Sequence, residues 1–582
     1  MSFSDKLKII EEIVKLPLFS AVGFSMNKLV YITTSEATRS LWVLDTKTGE
    51  KVKIADEVIG VSDIVPDSPY LMYTIDVMKG REQHRAYIVD LRKMERYEVE
   101  AIEPRRITSI AFDGSVFALS SSTAQVLDLW IVKPDGSAEK VYESQKIFFA
   151  TSVSGNKIVG QGVLKGDPRA QEIFIFDRSS GEFQVYTPKD GSTNRSPRIH
   201  DNKVLFSTTA FGKEKLVILD LEKFAIEDPV FGHDDYRKHE FVEYLNFDWT
   251  PDGKIWFIGL KDGRTKVFLD GKLLPVPEGF ATNLVYADGK AYVTWSSLVN
   301  PYRILEIDLE KNEARTFLGV ELPEHIRERI GTVKHIRYKS FDGLEIPAFI
   351  VENAKIGKPG PTVIYVHGGP WSSVSDSWNR LLVSIVASGY HVVAPNFRGS
   401  TGYGDEFRKM DIGDPGGGDL EDVAHAALWA KQNNLASKIA IMGYSYGGYM
   451  TFLATVKKPE LWDAGVAGAG ITDWAELYEL SDALFKRFVE VLFAGKKELL
   501  RDRSAITYIE NLKAPLCIIH PQNDSRTPLR PVLKYVSKLL ELGKTFELHV
   551  IPDMGHLINR VEDAVKILFP AIIFLDKVIG ST

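Results

Sequence analysis

Two different hydrophobic rhythms divide the chain near residue 325. Ahead of it, short β-branched and aromatic runs alternate with Asp-Gly, Asn-Lys and Lys-Gly turns, and long helical patterns are nearly absent. One pattern, an apolar run ending in Asp before a turn, recurs seven times. The copies are Leu41 to Asp45, Ala86 to Asp90, Leu129 to Val132 (where Lys133 replaces the Asp), Ile173 to Asp177, Leu216 to Asp220, Lys266 to Asp270 and Ile304 to Asp308. The spacing averages roughly 44 residues, the period of a four-stranded propeller blade. Further runs before each copy (Lys203 to Ser207, Lys254 to Ile258) and after it (Glu50 to Ile54) supply the remaining strands. Residues 24–324 are therefore expected to form an all-β seven-bladed β-propeller. The regular period disfavours the alternative, a β-sandwich or irregular all-β domain.

Beyond residue 325 the pattern becomes α/β. Strand-like runs at Thr362–Val366, His391–Pro395, Lys438–Met442, Ala464–Ala467, Leu516–His520 and Phe546–Ile551 alternate with helix-length amphipathic segments. Those segments are Trp378–Ala387, Leu420–Gln432, Gly447–Val456, Pro531–Leu542 and Val561–Val578. With an antiparallel hairpin over His335–Val351, this predicts an α/β-hydrolase domain over 325–582: a mostly parallel eight-stranded sheet flanked by helices. At the other end, Leu7, Ile10 and Val14 recur at helical spacing among charged residues, so 1–23 reads as an amphipathic helical segment rather than a signal peptide.

A chain of 582 residues is too long for one hydrophobic core, in keeping with this division. Its net charge of -7 and lack of a basic cluster argue against nucleic-acid binding. No apolar run has the length of a membrane span. The single cysteine, Cys517, lies in an apolar run, reads as a small buried residue and suits a reducing compartment. The expected location is the cytoplasm.

The chemistry gathers in the second domain. Gly443-Tyr444-Ser445-Tyr446-Gly447 stands between a strand pattern and a helix pattern, the setting in which a serine is held on a sharp turn with its hydroxyl exposed. Ser445 needs a base. His556 follows the last strand run, and Asp524 follows the strand at Leu516–His520. The order Ser, Asp, His is that of the α/β-hydrolase fold. Asp553, three residues before the histidine, is the rival carboxylate. His367-Gly368-Gly369 follows the first central strand, so the Gly369 N–H (or that of Gly368) and the Tyr446 N–H are the expected oxyanion donors. His367 reads as a buttress of that loop. Arg526, beside Asp524, is read either as a ligand for a substrate carbonyl or carboxylate or as a salt-bridge partner. Trp474, Phe485 and Phe488 lie in an apolar stretch read as a specificity pocket or as core packing. No metal or organic cofactor is called for, and no His-Glu-x-x-His motif is present.

The propeller ahead of a hydrolase domain resembles the prolyl oligopeptidase family of serine peptidases, on His367-Gly368-Gly369-Pro370, on Asn396-Phe397-Arg398-Gly399-Ser400-Thr401-Gly402-Tyr403-Gly404, on Gly443 to Tyr449 and on Asp524-Ser525-Arg526-Thr527-Pro528. Within it the chain looks most like the acylaminoacyl-peptidase branch. The resemblance implies the same triad, an N-terminal helix packed on the hydrolase domain, release of N-acylated amino acids from short peptides, and an oligomer, with a homodimer as the simplest expectation. Dipeptidyl peptidases of the family hold a free amino terminus with paired propeller glutamates, whereas the only adjacent pair here, Glu11-Glu12, precedes the propeller. A prolyl-type oligopeptidase would need a tryptophan stacked on proline, for which Trp474 is the candidate. A carboxylesterase, or a propeller binding protein with an inactive hydrolase domain, are the remaining alternatives.

Overall fold

The computed structural model describes residues 2–287 and 289–580. Seven four-stranded antiparallel sheets follow one another through the first domain, each built from strands consecutive in sequence. The repeated apolar-Asp run is the third strand of every blade, from Ser40–Asp45 in the first to Asn300–Asp308 in the last. The Asp at its end receives turn amides: Asp45 accepts from the N–H groups of Lys47 and Thr48, and Asp177 from that of Ser179. The repeat is thus a strand with its turn cap attached.

The propeller begins at Phe19 rather than after residue 23, because Phe19–Ser25 is the innermost strand of the first blade. A register shift between Ala21 and Gly23 interrupts the alternation that would have marked this strand in the sequence. Among the described residues no strand is shared between the first and last blades. They meet through the Ala21 N–H donating to Thr294 Oγ1 at 2.9 Å, Asn283 Nδ2 donating to the Ala21 carbonyl at 3.1 Å, and an apolar cluster that includes Leu29, Tyr31, Val285 and Tyr292.

The hydrolase sheet has eight strands: β1 (Ile330–Lys339), β2 (Glu345–Asn353), β3 (Gly360–Val366), β4 (His391–Pro395), β5 (Ala436–Tyr444), β6 (Ala464–Gly468), β7 (Leu516–Pro521) and β8 (Phe546–Ile551). Their order is β1-β2-β4-β3-β5-β6-β7-β8, antiparallel across the first two junctions and parallel from β4 onward. The central strands are buried on both faces, which is why β3 and β4 read as unbroken apolar runs. The architecture is the one the sequence predicts.

The helix Phe3–Lys15 opens with a capping box between Ser2 and Asp5 and buries Ile9, Ile10, Ile13 and Val14. It packs against helices Arg380–Ala387 and Val561–Val578, so the N-terminus completes the hydrolase core. Cys517 is fully buried in that core. No helix among the described residues is long and apolar enough to cross a membrane.

Candidate active site

Ser445 stands between β5 and the helix Tyr446–Lys457, with φ 61° and ψ -120°. A non-glycine residue in this region is strained, and the packing around it enforces the strain. A Cβ on Gly447 would lie 2.0 Å from the Val366 carbonyl oxygen, and one on Gly443 would lie 2.4 Å from the Gly447 carbonyl carbon. Both flanking positions are closed to any side chain, so strand and helix can approach closely enough to force the turn.

His556 Nε2 is 2.9 Å from Ser445 Oγ, and His556 Nδ1 is 2.7 Å from Asp524 Oδ2. An ionised carboxylate can only accept, so Nδ1 carries the proton and Nε2 is free to accept from the serine hydroxyl. Burial alone would raise the Asp524 pKa. The facing His556 and the Thr527 N–H act against burial and hold the carboxylate below its usual range. Thr527 also donates its hydroxyl to Asp524 Oδ2 at 2.8 Å, and the Arg526 N–H donates to Oδ1 at 2.9 Å. The Tyr444 hydroxyl donates to the His556 carbonyl at 2.9 Å, tying the histidine loop to the strand that carries the serine. The rival Asp553 takes no part in this chain of contacts, since it is solvent-exposed and pairs with Lys79 of the propeller at 3.1 Å.

The His367-Gly368-Gly369-Pro370 loop lies beside the serine. A Cβ on Gly368 would be 3.3 Å from Ser445 Cβ, and Gly369 has φ +124°. His367 is buried, stacks on Phe397 at 4.3 Å and is 2.7 Å from the Gly368 carbonyl and 2.8 Å from Ser400 Oγ. Burial pushes its pKa down to about 4, so it is neutral. Nδ1 then donates to the Gly368 carbonyl. On the far side, Tyr446 donates its hydroxyl to the buried Asp419 at 2.6 Å.

The propeller reaches this site. Arg526 donates Nε to Glu82 Oε1 at 2.6 Å. Arg106, from the third blade, pairs with the same Glu82, donates Nε to Asp482 at 2.8 Å and donates to Ser525 Oγ at 3.1 Å. Asp482 caps the helix Ala483–Leu492, which carries Phe485 and Phe488. Both guanidinium groups lie over the Phe485 ring, at 5.0 Å for Arg106 and 5.9 Å for Arg526. Phe485, Phe488, Val491, Trp371, Ile147 and Phe149 line an apolar cavity of about 280 Å³ between the domains. Trp474 does not join them. It is fully buried against Tyr449 and Phe493, so its helical spacing reflects core packing rather than a pocket wall.

Sequence reasoning missed Glu82, Arg106, Thr527 and Tyr444. Thr527 and Tyr444 stand inside the quoted motifs and could have been found from their positions. Glu82 and Arg106 lie more than 300 residues from Ser445, in propeller loops without any motif, and carried no signal.

An α/β-hydrolase sheet presenting a hydrogen-bonded Ser-His-Asp chain under a seven-bladed propeller defines the class as serine hydrolase. Residues 375–582 match the prolyl oligopeptidase family, and residues 30–305 match the N-terminal domain of acylamino-acid-releasing-enzyme-like proteins. By the first match the hydrolase domain is of the prolyl oligopeptidase family. The chain is 27% identical over 329 residues to the peptidase YuxL of Bacillus subtilis, covering 54% of this chain and 50% of that one. It is also 27% identical over 282 residues to the acylamino-acid-releasing enzyme of Sus scrofa, covering 46% and 38%. These alignments span half or less of the relatives' own lengths. Among solved structures, the Pyrococcus horikoshii acylaminoacyl peptidase superposes with a TM-score of 0.72 at 19% identity, covering 98% of each chain. A puromycin-hydrolyzing peptidase of Mycobacterium tuberculosis gives 0.82 at 16%, covering 99% of this chain and 96% of that one. At these identities the structures speak for the fold.

Proposed function

We propose that the protein is a serine peptidase that releases N-acylated amino acids from short peptides through an acyl-enzyme. The supporting observation is the contact chain from Asp524 through His556 to Ser445. Ser445 Oγ attacks the carbonyl carbon as its proton passes to His556 Nε2, and Asp524 holds the imidazole in the tautomer that accepts it. The N–H groups of Gly369 and Tyr446 receive the oxyanion, each contributing roughly 3–4 kcal/mol. When the tetrahedral intermediate collapses, the C–N bond breaks and His556 protonates the leaving amine. Water, deprotonated by His556, then breaks the Ser445 ester. The residues alone account for these steps without a metal or organic cofactor. The same groups would cleave activated esters.

The preference for a blocked amino terminus rests on charge. Glu82 is a propeller carboxylate that meets the loop carrying Asp524, and two guanidinium groups already engage it. A substrate ammonium would have to displace Arg106 or Arg526, whereas an acylated terminus brings no charge. Phe485 and Phe488 favour an apolar side chain, with Arg526 close enough to meet a substrate carbonyl. The propeller excludes folded proteins, which limits substrates to short or unfolded peptides. The buried lone thiol suits a cytoplasmic location, and the apolar Val550, exposed on the outer strand β8, and Leu540, exposed on the helix Leu529–Glu541, suit a homodimer. Comparing acetyl-Phe, free Phe and free dipeptidyl p-nitroanilides tests the reading. Preference for the acetylated substrate is expected, and faster turnover of the free dipeptide would replace it with a dipeptidyl peptidase.

A further inference from the structure

Away from the catalytic loops, three residues with metal-binding atoms converge at the outer edge of the hydrolase sheet. Cys517 and Glu547 are paired neighbours on the parallel strands β7 and β8. His549 follows Glu547 by two residues, so its side chain leaves the same face of the sheet. The Cys517 Sγ, a Glu547 carboxylate oxygen and a His549 ring nitrogen all lie within 4.8 Å of one another. Cys517 and Glu547 are each the second residue of their strand, whereas Asp524 and His556 lie beyond the far ends of the same two strands. The cluster is therefore separate from the chemistry at Ser445.

Contacts inside the cluster leave its donors underused. His549 Nε2 stands 3.5 Å from Glu547 Oε2, long for a hydrogen bond. Lys577, on the helix Val561–Val578, donates to the other oxygen, Oε1, at 3.0 Å. The Lys577 ammonium, with His549 adding to it, holds the Glu547 carboxyl below its usual range against partial burial. Cys517 is fully buried, while the His549 and Glu547 side chains are 39% and 33% exposed. The thiol thus forms the floor of a shallow site whose other two members face solvent.

The donor set selects the metal. Thiolate, imidazole and carboxylate together suit zinc, a borderline-soft divalent cation. Thiolate and carboxylate bring two negative charges to match it. Donors around one tetrahedral zinc stand about 3.3–3.6 Å apart, so side-chain movements of about 1 Å close the three residues on an ion. Burial, and after it the Glu547 charge, raise the thiol pKa, so the thiol by itself stays protonated. An incoming metal replaces that proton, which leaves to solvent. Water takes the fourth position.

We propose that Cys517, Glu547 and His549 form a zinc site that pins β8 to β7. The ion takes no part in peptide hydrolysis. β8 is the edge strand, paired on one side only, and the chain runs from it into the loop that delivers His556. A metal bound by the folded sheet alone stabilises that edge.

The test titrates the full-length protein, first stripped with EDTA, with cobalt(II), whose thiolate complexes show a charge-transfer band in the near ultraviolet. Cys517 is the only thiol in the chain, so no other residue can give that band. One equivalent of cobalt is expected to bind with the band present, and zinc to displace it and raise the thermal midpoint. Cys517→Ala should abolish the band. His549→Ala should weaken cobalt binding at least 10-fold, and because His549 is partly exposed this variant keeps the test open if the cysteine variant fails to fold. Fluorophosphonate labelling of Ser445 identifies the folded variants. A wild type that shows no thiolate band in excess cobalt, or equal cobalt affinity in wild type and labelled His549→Ala, would overturn the proposal.

Discussion

Gly80 of the propeller and Gly555 of the hydrolase domain meet backbone to backbone, next to His556. A Cβ on Gly80 would lie 2.1 Å from the Gly555 nitrogen, and one on Gly555 would lie 1.8 Å from the Gly80 carbonyl oxygen. Around them Asn523 Nδ2 donates to the Lys79 carbonyl at 2.9 Å, and Lys79 pairs with Asp553. One propeller loop therefore rests on both loops that deliver Asp524 and His556. Because neither glycine can yield without moving backbone, Gly555→Ala is expected to displace the histidine. A shift of about 1 Å in a reacting group can cost on the order of 100-fold in rate. A fall of that size in kcat/KM, with the thermal midpoint little changed, is the expected outcome, measured by steady-state kinetics beside calorimetry.

Tyr444→Phe removes only the hydroxyl that holds the His556 carbonyl. A single hydrogen bond to backbone is worth about 1 kcal/mol, so kcat should fall about 5-fold while KM stays within twofold. An unchanged kcat would mean that the loop keeps its position without this tie.

Arg106→Met leaves Asp482 and Ser525 without their guanidinium partner. The helix bearing Phe485 and Phe488 then keeps its cap and its ties through Ala483 to Thr123 and Arg487 to Gln145, but loses the Arg106 link to the propeller. KM for aromatic substrates is expected to rise about 10-fold with a smaller change in kcat, and Arg106→Lys should restore only part of it because a single ammonium cannot span both partners. Equal KM values in wild type and Arg106→Met would remove Arg106 from substrate selection.

His367 gives a pH signature. Folding lowers its pKa from 6.5 to about 4 through burial. Between those values the unfolded chain binds a proton that the folded chain does not, so stability rises with pH across the window. The contribution of the neutral imidazole is complete above about pH 6.5 and is lost as pH falls toward 4, a change of about 3 kcal/mol. Replacing His367 with Asn removes the titration and should flatten the fall in the hydrolase-domain thermal midpoint between pH 6.5 and 4. Parallel curves for the two proteins would contradict the burial argument.

What was legible in the sequence follows from how locally each feature is encoded. The third strand of each blade was readable because its Asp caps a turn two or three residues away, so strand and signal lie together. The Phe19–Ser25 strand was not, because its bulge at Ala21–Gly23 breaks the alternation and the Thr294 and Asn283 side chains that hold it to the last blade are remote in sequence. Ser445, Asp524 and His556 each follow a parallel strand, and chain order alone limits the choices. Trp474 was misplaced because helical spacing cannot separate a residue facing a pocket from one facing the core. Glu82 and Arg106 were invisible because their significance arises only when two separately folded domains are set against each other.

Mass spectrometry of the trapped acyl-enzyme tests the central claim most directly. After brief mixing with the p-nitrophenyl ester of acetyl-Phe and acid quenching, peptide mapping should find the acetyl-Phe group on Ser445 alone. His556→Ala should form that adduct several orders of magnitude more slowly, and Ser445→Ala should form none. Acylation at another residue, or undiminished peptide hydrolysis by Ser445→Ala, would contradict the mechanism.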